Sequence, residues 1–476
     1  MPSLLILIPL FGIVILNLPL GKIMKRLAFV FAFAIFVTQI MISITHQPIF
    51  WGNELRQMDA FFHVELSIDN LSFVMLLCIG IVSIASLLVT RNTILDRNER
   101  FKFINLLIIT SMGMSGIVMV TDIFTLYIFL EITAIASFIL IAFKKDVYSL
   151  EGAFKYMILS AIATVMMLAS IALLLLASGS TSFAAIHTAL QKTDNNLMIV
   201  AIGLFICGLF IKGGLVPFHG WLPDAYSAAS PAVSVLLAGI VTKAAGIYTL
   251  MRVIISIFGF SANVKALLMV FGTISIIVGA FAAIGQKDFK RMLAYSSISQ
   301  VGYIVLGFGC ATPLGIAGAV FHIFNHAIFK SLLFVNSAAI ESRLGTTDMD
   351  KMGGLSAKMP VTGATSVIGM LSAAGIPPLA GFWSKLIIVI ALWQAGHTAY
   401  AAIAVLASIL TLAYLLIMQR RVFFGKLGAG LDDTREAMPG ITSAAVVLAA
   451  IIVGAGVFFP VFYNVIIVPI QEMLVK

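Results

Sequence analysis

The sequence predicts an all-α membrane protein with about fourteen spanning helices, because apolar stretches near the ~20 residues that cross a bilayer recur from end to end. Composition supports this prediction. Hydrophobic residues make up 61% of the 476 positions and charged residues 10%, whereas about 25% of a typical soluble domain is charged. The net charge of +9 is attributed to basic loops that fix membrane orientation. These features exclude a secreted enzyme, a coiled coil and a nucleic-acid-binding protein.

The apolar stretches define the predicted spans in chain order. The first stretch has no basic region before it and no clear cleavage site after it, so we interpret it as a span and not as a removable signal peptide. The fourth span ends at Thr121 and only Asp122 separates it from the fifth, which predicts a tight turn at these two residues. The predicted spans are residues 3–20, 27–45, 70–90, 103–121, 123–142, 155–177, 196–216, 232–252, 264–285, 293–311, 314–340, 361–396, 399–418 and 440–467.

Loop charges predict the orientation of these spans. The odd-numbered loops hold 20 of the 29 basic residues, whereas the even-numbered loops and the C-terminal tail hold five. Lys and Arg collect in cytoplasmic loops. The sequence therefore predicts a multi-pass protein of the cytoplasmic membrane, with its odd-numbered loops in the cytoplasm and both termini on the outer side.

Four lysines and one acid lie within the predicted spans and away from their ends, where a charge costs at least ~2.5–3.5 kcal/mol at the bilayer centre. Such residues usually face the protein interior and mark an ion path. Snorkelling to the interface is an alternative for Lys330, and a static structural pair is an alternative for the acid. The five residues are Glu131, Lys212, Lys243, Lys330 and Lys385.

Two of these lysines lie beside predicted helix breaks. Glycine and proline interrupt the helix near Lys212 and again just before Lys385, and the break frees backbone groups that can be hydrated. Two broken spans in separate halves of a transporter are typical of an inverted repeat with its ion site at the breaks. The predicted break residues are Gly213, Gly214, Pro217, Pro377 and Pro378.

A polar stripe is predicted on the eleventh span. His322, His326 and Lys330 follow i, i+4, i+8 spacing and cover about 12 Å of one helix face. Imidazole exchanges protons near neutral pH, which suits a relay, although a single buried histidine is more often structural. The stripe offers no acid or Cys to complete a metal site. The three cysteines form no CxxC motif, so neither a disulfide framework nor an iron–sulfur site is predicted.

Lys243 is the lysine for which snorkelling is least suitable, because about ten apolar or small residues lie on each side of it. Gly239 and Gly246 lie on its helical face at i−4 and i+3. They predict that a neighbouring helix or water approaches the ammonium.

Five segments resemble the antiporter-like membrane subunits shared by respiratory complex I, energy-converting NiFe hydrogenases and Mrp-type multisubunit cation/proton antiporters. The segments are residues 122–131, 217–226, 230–243, 288–300 and 374–385. The resemblance runs from about residue 65 to 425. It implies fourteen helices with two inverted five-helix repeats, each containing a broken helix. The implied divisions are residues 1–102 for helices 1–3, 103–252 for the first repeat, 264–418 for the second repeat and 440–476 for helix 14 and the tail.

The resemblance also implies roles for individual residues along a mid-membrane polar axis. Glu131 matches the family's fifth-helix acid, and Lys212 matches the lysine of its broken seventh helix. Lys243 matches the bridging lysine of the eighth helix. His322 matches the eleventh-helix histidine, and Lys385 matches the lysine or glutamate of the broken twelfth helix. We expect motion of Glu131 relative to Lys212 to load and release a proton, which Lys243 passes toward His322 and Lys385.

The implied assembly is a redox-driven complex, in which this chain moves ions and has no catalytic centre or cofactor of its own. Iron–sulfur centres and NiFe or flavin centres are expected in peripheral partner subunits, and further membrane subunits and lipid are expected around the chain. Residues 322–330 resemble the hydrogenase-linked branch, while a lysine at 385 is shared with Mrp-type subunits. We expect no long lateral helix after the last span. The rival interpretations are a Mrp-type Na⁺/H⁺ antiporter subunit without a redox partner and a purely structural membrane subunit, and the sequence does not choose H⁺ from Na⁺.

Overall fold

The computed structural model describes residues 2–19, 22–45, 59–61, 64–192 and 196–475. In these ranges the chain is almost entirely helical, apart from an antiparallel pair of short strands, β1 (Asp59–Phe61) and β2 (Val64–Leu66). The helices are α1 (Leu4–Leu16), α2 (Lys22–Thr45), α3 (Asn70–Thr93), α4 (Arg97–Met119), α5 (Ile123–Ile141), α6 (Val147–Ser178), α7 (Phe183–Lys192), α8 (Asn196–Gly213), α9 (Trp221–Ala228), α10 (Pro231–Phe258), α11 (Ala262–Ile284), α12 (Phe289–Gly309), α13 (Pro313–Leu344), α14 (Pro360–Ala374), α15 (Ala380–Gln394), α16 (Thr398–Val422), α17 (Pro439–Val457) and α18 (Phe459–Leu474).

The all-α membrane fold is confirmed. Twelve helices in the described ranges are long and apolar enough to cross a membrane. The shorter α1 and the broken pair α14–α15 account for the first and twelfth predicted spans. The predicted span at residues 440–467 is wrong at its end, because α17 stops at Val457 and α18 follows as a separate helix. Pro460 lies in the first turn of α18, where its missing N–H costs nothing but where it cannot continue an earlier helix.

Two matching structural units support the predicted internal repeat. Asp122 caps the N-terminus of α5 and accepts a hydrogen bond from Thr181, and Asp288 caps α12 and accepts one from Thr347. Each of these hydrogen bonds joins residues 59 positions apart. The helix between the two partners, α6 or α13, is 32 residues long in both cases. The boundaries of the whole repeats stay a prediction.

Ion pairs join the odd-numbered loops at one end of the bundle, which we call the odd-loop face. Glu341 at the end of α13 and Asp224 in α9 each accept from two basic residues. The loops after the fifth, seventh, ninth and eleventh predicted spans therefore lie at the same end, as the alternating charge pattern predicts. The pairs are Lys144–Glu341 at 3.0 Å, Lys290–Glu341 at 3.1 Å, Lys155–Asp224 at 2.7 Å and Arg291–Asp224 at 2.6 Å.

The central helices are α10, α12 and α13. The most apolar 18-residue windows of α10 and α13 are 100% buried in the protein and that of α12 is 94% buried, whereas those of α2 and α6 are 33% buried. The outer helices present their remaining apolar side chains to lipid. Charged side chains on α10 and α13 cannot extend to the headgroups past this shell, so they must find partners within the protein.

Candidate ion pathway

The predicted pair in the first half is formed between α5 and the end of α8. Lys212 Nζ donates to Glu131 Oε1 at 3.1 Å and to Ser160 Oγ at 3.1 Å. Thr164 Oγ1 donates to the same carboxylate oxygen at 2.7 Å. The lysine side chain is 1% exposed and that of Glu131 is 24% exposed. The ammonium is thus fully enclosed, while the carboxylate reaches the outer surface of the single chain.

The break after Lys212 has a clear backbone cause. Gly214 has φ +68°, which glycine adopts without steric cost, and Pro217 has no N–H to continue the helix. The helix end leaves carbonyls without intrahelical partners. Trp221, the first residue of α9, compensates one of them, since its Nε1–H donates to Ile211 O at 3.0 Å.

Lys385 bridges the second break. α14 ends at Ala374, Gly375 follows with φ +85°, and Pro377 and Pro378 precede α15. Lys385 Nζ reaches back across this gap and donates to Ala373 O at 2.8 Å. A lysine at a helix C-terminus satisfies a free carbonyl and complements the helix dipole.

The surroundings of Lys385 contain no carboxylate ion-pair partner among the described residues. Its Nζ lies 4.6 Å from the centroid of the Tyr303 ring on α12, which is cation–π geometry. The Tyr303 hydroxyl donates to Ala404 O at 2.6 Å on α16. Carbonyl and ring are the groups that hold this lysine.

Lys243 lies where α10 is wound with wide π-helical turns, at Leu237–Val241 and Lys243–Tyr248. Such turns are rare and frequent at functional sites. The ammonium donates to Ala238 O and, at 3.3 Å, to Thr242 Oγ1. The Thr242 hydroxyl is in turn 2.9 Å from the Tyr226 hydroxyl. Lys243 is completely buried.

The two glycines beside Lys243 permit close contacts with neighbouring helices of both halves. A Cβ on Gly246 would lie 2.3 Å from Gly213 Cα, and a Cβ on Gly239 would lie 2.2 Å from Ser331 Oγ. Gly213 follows Lys212 and Ser331 follows Lys330. Lys243 is therefore positioned between the lysine of the first half and the polar stripe of the second.

The polar stripe on α13 is buried along its whole length. Lys330 Nζ donates to Ser296 Oγ at 2.7 Å and to Leu293 O at 3.0 Å on α12, so the snorkelling interpretation of Lys330 is wrong. The imidazole rings of His322 and His326 are 6.4 Å apart. His322 Nδ1 lies 2.9 Å from the hydroxyl of Ser384, the neighbour of Lys385.

Three ring nitrogens of the stripe have no hydrogen-bond partner among the residues that the structure describes. They are His322 Nε2 and both nitrogens of His326. Buried polar atoms of this kind normally bind ordered water. These unpaired nitrogens lie on α13 between Lys330 and the contact of His322 with Ser384.

Several hydroxyl-bearing residues were not identified from the sequence. Ser160 and Thr164 on α6, Ser296 on α12 and Ser384 on α15 contact the charged groups. Serine and threonine are frequent in membrane helices, so their presence alone carries little information. The i, i+4 spacing of Ser160 and Thr164 was the one available signal.

A cavity of ≈ 680 Å³ opens at the odd-loop face between the two halves. Its wall contains acidic and basic side chains from the starts of α6 and α12, from α9 and from the end of α13. Burial raises the pKa of Asp224, but hydrogen bonds and charge from Lys155 and Arg291 outweigh this, and the net pKa lies below the usual value. The carboxylate is therefore ionised near neutral pH.

The opposite end of α10 is closed by a rigid charged cluster. Arg252 binds both oxygens of Asp69, at 2.5 and 2.7 Å, and also contacts Tyr248 and Ser72. Burial raises the pKa of Asp69, but Arg252 and the Ser72 hydrogen bonds reverse the shift, so the pKa lies well below its usual range. A bidentate pair of this type fixes geometry strongly.

Comparison with known proteins places this geometry in a family. Residues 120–411 match the family model described as "NADH:quinone oxidoreductase/Mrp antiporter, TM". The chain belongs to this family. The predicted family resemblance is thereby confirmed, and the chain is an antiporter-like membrane subunit of the type found in complex I and Mrp assemblies.

The relatives of this antiporter-like subunit include both redox-linked and redox-independent proteins. The chain is 32% identical over 414 residues to NADH-quinone oxidoreductase subunit N of Desulforudis audaxviator, covering 84% of this chain and 82% of the relative. It is 33% identical over 408 residues to F(420)H(2) dehydrogenase subunit N of Methanosarcina mazei, with 82% of each covered. It is 32% identical over 376 residues to a Na(+)/H(+) antiporter subunit of Alkalihalophilus pseudofirmus, covering 78% of this chain and 76% of the relative.

Solved structures give the same result. A chain of the membrane-bound sulfane sulfur reductase, an archaeal respiratory membrane complex, superposes with a TM-score of 0.88 at 27% identity, covering 100% of this antiporter-like subunit and 98% of that chain. A chain of the Mrp complex from Dietzia sp. DQ12-45-1b gives a TM-score of 0.91 at 24% identity, covering 99% and 97%, and shows the shared fold alone.

Cofactors of such assemblies lie in partner subunits, and the antiporter-like subunits of complex I carry none themselves. In the part of the chain that the structure describes, no three His, Cys, Asp or Glu side chains are grouped to hold a metal ion.

Proposed function

We propose that this antiporter-like subunit translocates protons in a redox-driven complex of the cytoplasmic membrane. The observation that carries the proposal is the contact between Glu131 and the enclosed Lys212, continued by closely packed elements to Lys243 and the α13 stripe. The proposed series of ion-carrying residues is Glu131, Lys212, Lys243, Lys330, His326, His322 and Lys385.

The Glu131–Lys212 pair supplies a means of coupling. At an effective dielectric of ~20, unit charges 3.1 Å apart attract by about 5 kcal/mol, and at ~7 Å by about 2.4 kcal/mol. Movement of α5 by a few ångströms thus changes the energy of the Lys212 ammonium by several times thermal energy. With the carboxylate close, the lysine holds its proton, and with the carboxylate distant, the proton passes to Lys243.

Exposure of Glu131 supports assembly with other membrane subunits. Its side chain is 24% exposed on a mid-span helix face that would otherwise contact lipid. A charge at this depth is costly unless protein or water covers it. We therefore propose that a second membrane subunit lies against α5. The similarity to redox-linked relatives supports peripheral subunits with iron–sulfur and NiFe or flavin centres as the source of energy.

The second candidate function is that of a Mrp-type Na⁺/H⁺ antiporter subunit with no redox partner. Similarity to the antiporter subunit of A. pseudofirmus and the lysine at position 385 favour it. Purification of the tagged chain in mild detergent separates the candidates. Co-purifying iron–sulfur subunits support the redox-driven complex, and an assembly of membrane subunits alone contradicts it.

Transport by the purified complex tests ion translocation itself. In reconstituted vesicles, Lys243→Gln removes the bridging charge and is expected to abolish proton movement while leaving assembly intact. Lys192→Gln, at an exposed position on α7, is the control and should transport normally. Normal transport by an assembled Lys243→Gln complex would refute the proposed series.

The proposed orientation is tested by cysteines introduced at Ser3 and near Lys476. An impermeant thiol reagent should label both in intact cells, since both termini are placed on the outer side. If both positions are protected from the reagent, the termini lie on the cytoplasmic side and the proposed orientation is wrong.

A further inference from the structure

The cavity at the odd-loop face ends on an ion pair that the seven-residue series does not use. Glu341 lines the cavity and its side chain is 17% exposed, while the Lys290 side chain behind it is 2% exposed. Lys290 Nζ donates to Glu341 Oε2 at 3.1 Å and to Ala229 O at 2.7 Å. The carboxylate thus separates the open cavity from a buried ammonium.

Glu341 also connects the two halves of the molecule. Lys144 Nζ donates to its other oxygen, Oε1, at 3.0 Å. Lys144 belongs to the short 3₁₀ turn that continues directly from the end of α5. The carboxylate is therefore held between a lysine whose position follows α5 and a lysine fixed on α12.

Polar groups continue inward from Glu341 toward Lys330. Ser337 lies four residues before Glu341 on α13, and Lys330 lies eleven residues before it. These spacings place all three side chains on one face of the helix, over a length of about 16 Å. Ser337 is 1% exposed, and Ser230, which precedes α10, is 5% exposed. Neither hydroxyl oxygen has a hydrogen-bond partner among the described residues. Buried hydroxyls of this kind bind water.

We propose that this cavity is a proton entrance to the second half and that Glu341 is its gate. The Glu341 carboxylate accepts a proton from water in the cavity, becoming a neutral carboxylic acid. It then releases that proton through water at Ser337 and Ser230 to the neutral amine of Lys330, which becomes an ammonium. The proposal rests on the proposed function as a proton-translocating subunit.

Lys144 and Lys290 set the state of the gate. While both contact Glu341, the carboxylate is held as an anion and binds no proton. Withdrawal of Lys144 leaves only the fixed Lys290 and lowers the cost of protonating the acid. Since α5 carries Glu131 at mid-membrane and leads into Lys144 at the odd-loop face, one motion of this helix acts on both sites.

The alternative is that the triad only fastens the two halves together, and substitution separates the two interpretations. Glu341→Gln keeps the shape and one hydrogen bond but cannot carry a proton as an acid, and we expect proton transport to fall about 10²-fold at wild-type assembly. Asp350→Asn is the matched control, because Asp350 lies on the same face and also pairs with two bases, Lys287 and Arg421. Lys144→Gln should change the rate about two- to fivefold while preserving the fold.

Accessibility gives a readout that a fastening role would not produce. Ser337→Cys should react with an impermeant thiol reagent in only one of the two vesicle orientations, and Lys144→Gln should alter the reaction rate. Ser170→Cys is the control, since Ser170 is equally buried but donates to Ala201 O on α8. The wild-type chain measures the background from its three cysteines.

The outcomes distinguish this inference from the broader one. Normal pumping by Glu341→Gln, together with an unreactive Ser337→Cys, overturns the entrance even if Lys243→Gln is inactive. If Lys243→Gln pumps normally, the proposed function fails instead. Loss of pumping in Glu341→Gln with one-sided labelling of Ser337→Cys supports the entrance.

Discussion

The two halves of the molecule hold their buried lysines by different means. In the first half Lys212 contacts the carboxylate of Glu131. In the second half Lys330 contacts a serine hydroxyl and a backbone carbonyl, and Lys385 contacts a carbonyl and an aromatic ring. A neutral amine is less costly to bury than an ammonium without a counter-ion. The first half therefore holds its buried lysine with a counter-ion, and the second half holds its buried lysines with neutral groups alone.

Equivalent positions make this contrast specific. Counted from the capping aspartates Asp122 and Asp288, Thr164 occupies the position of Lys330, and Ser160 that of His326. In the first half, an acid on α5 accepts from a hydroxyl on α6. In the second half, a lysine on α13 donates to a hydroxyl on α12. The same helix pair thus carries its charge on opposite members.

The largest expected effect comes from making the first half resemble the second. Glu131→Gln preserves shape but removes the counter-charge of Lys212, so proton transport should fall about 10²-fold or more. Transport is measured in reconstituted vesicles at matched assembly, with Glu99→Gln, a partly exposed acid near Lys102, as the control. If the Glu131→Gln complex transports protons at the wild-type rate, the counter-ion of Lys212 is not needed for transport, and the proposed difference between the two halves is wrong.

A permanent charge in the second half tests whether Lys385 releases protons. Guanidinium does not deprotonate in proteins, so Lys385→Arg should block transport nearly as well as Lys385→Ala while disturbing folding less. Both variants are compared for transport and assembly. A structural role for Lys385 requires the Arg variant to be active and only the Ala variant to fail.

The contact between α8 and α10 is tested by adding one methyl group. Gly246→Ala would bring a Cβ to 2.3 Å from Gly213 Cα, and we expect a loss of about 1–3 kcal/mol in stability. Gly203→Ala on α8 meets nothing within 4 Å and should be neutral or slightly stabilising. Thermal unfolding of both complexes measures the difference, and equal Tm values would contradict the contact.

The smallest effect is expected at the ring beneath Lys385. Tyr303→Phe keeps the ring 4.6 Å from the ammonium and loses only the hydroxyl bonds to α16, so transport should change by less than about threefold. Tyr303→Leu removes the cation–π contact, worth about 0.5–2 kcal/mol, and should reduce transport further. If the Phe variant is the more impaired of the two, the hydroxyl and not the ring positions Lys385.

Prediction from the sequence succeeded where one physical requirement dominates. Apolar length identified the spans, because a bilayer tolerates few other structures. The amphipathic α7 was not predicted, since ten residues are too few to span. Glu131 and the four buried lysines were identified because a charge inside a membrane span is energetically costly.

The contacts of these residues were less predictable. The pairing of Glu131 with Lys212 followed from the family resemblance, whereas the carbonyl bound by Lys385 depends on the path of the chain through Gly375. Glu341 and Lys290 lie near span ends, where a charge is ordinary. Only the folded chain brings them together beneath a cavity.

The backbone contact between Gly213 and Gly246 has a consequence for proton transfer rates. Transfer along water depends steeply on the number of molecules that must line up between donor and acceptor. The helices bearing Lys212 and Lys243 approach so closely that a Cβ added at Gly246 would lie 2.3 Å from Gly213 Cα. A larger side chain at position 246 should therefore increase the distance between the two helices. Substitution by alanine, serine and valine would give a series of increasing distances between Lys212 and Lys243, over which the rate of proton transfer can be compared.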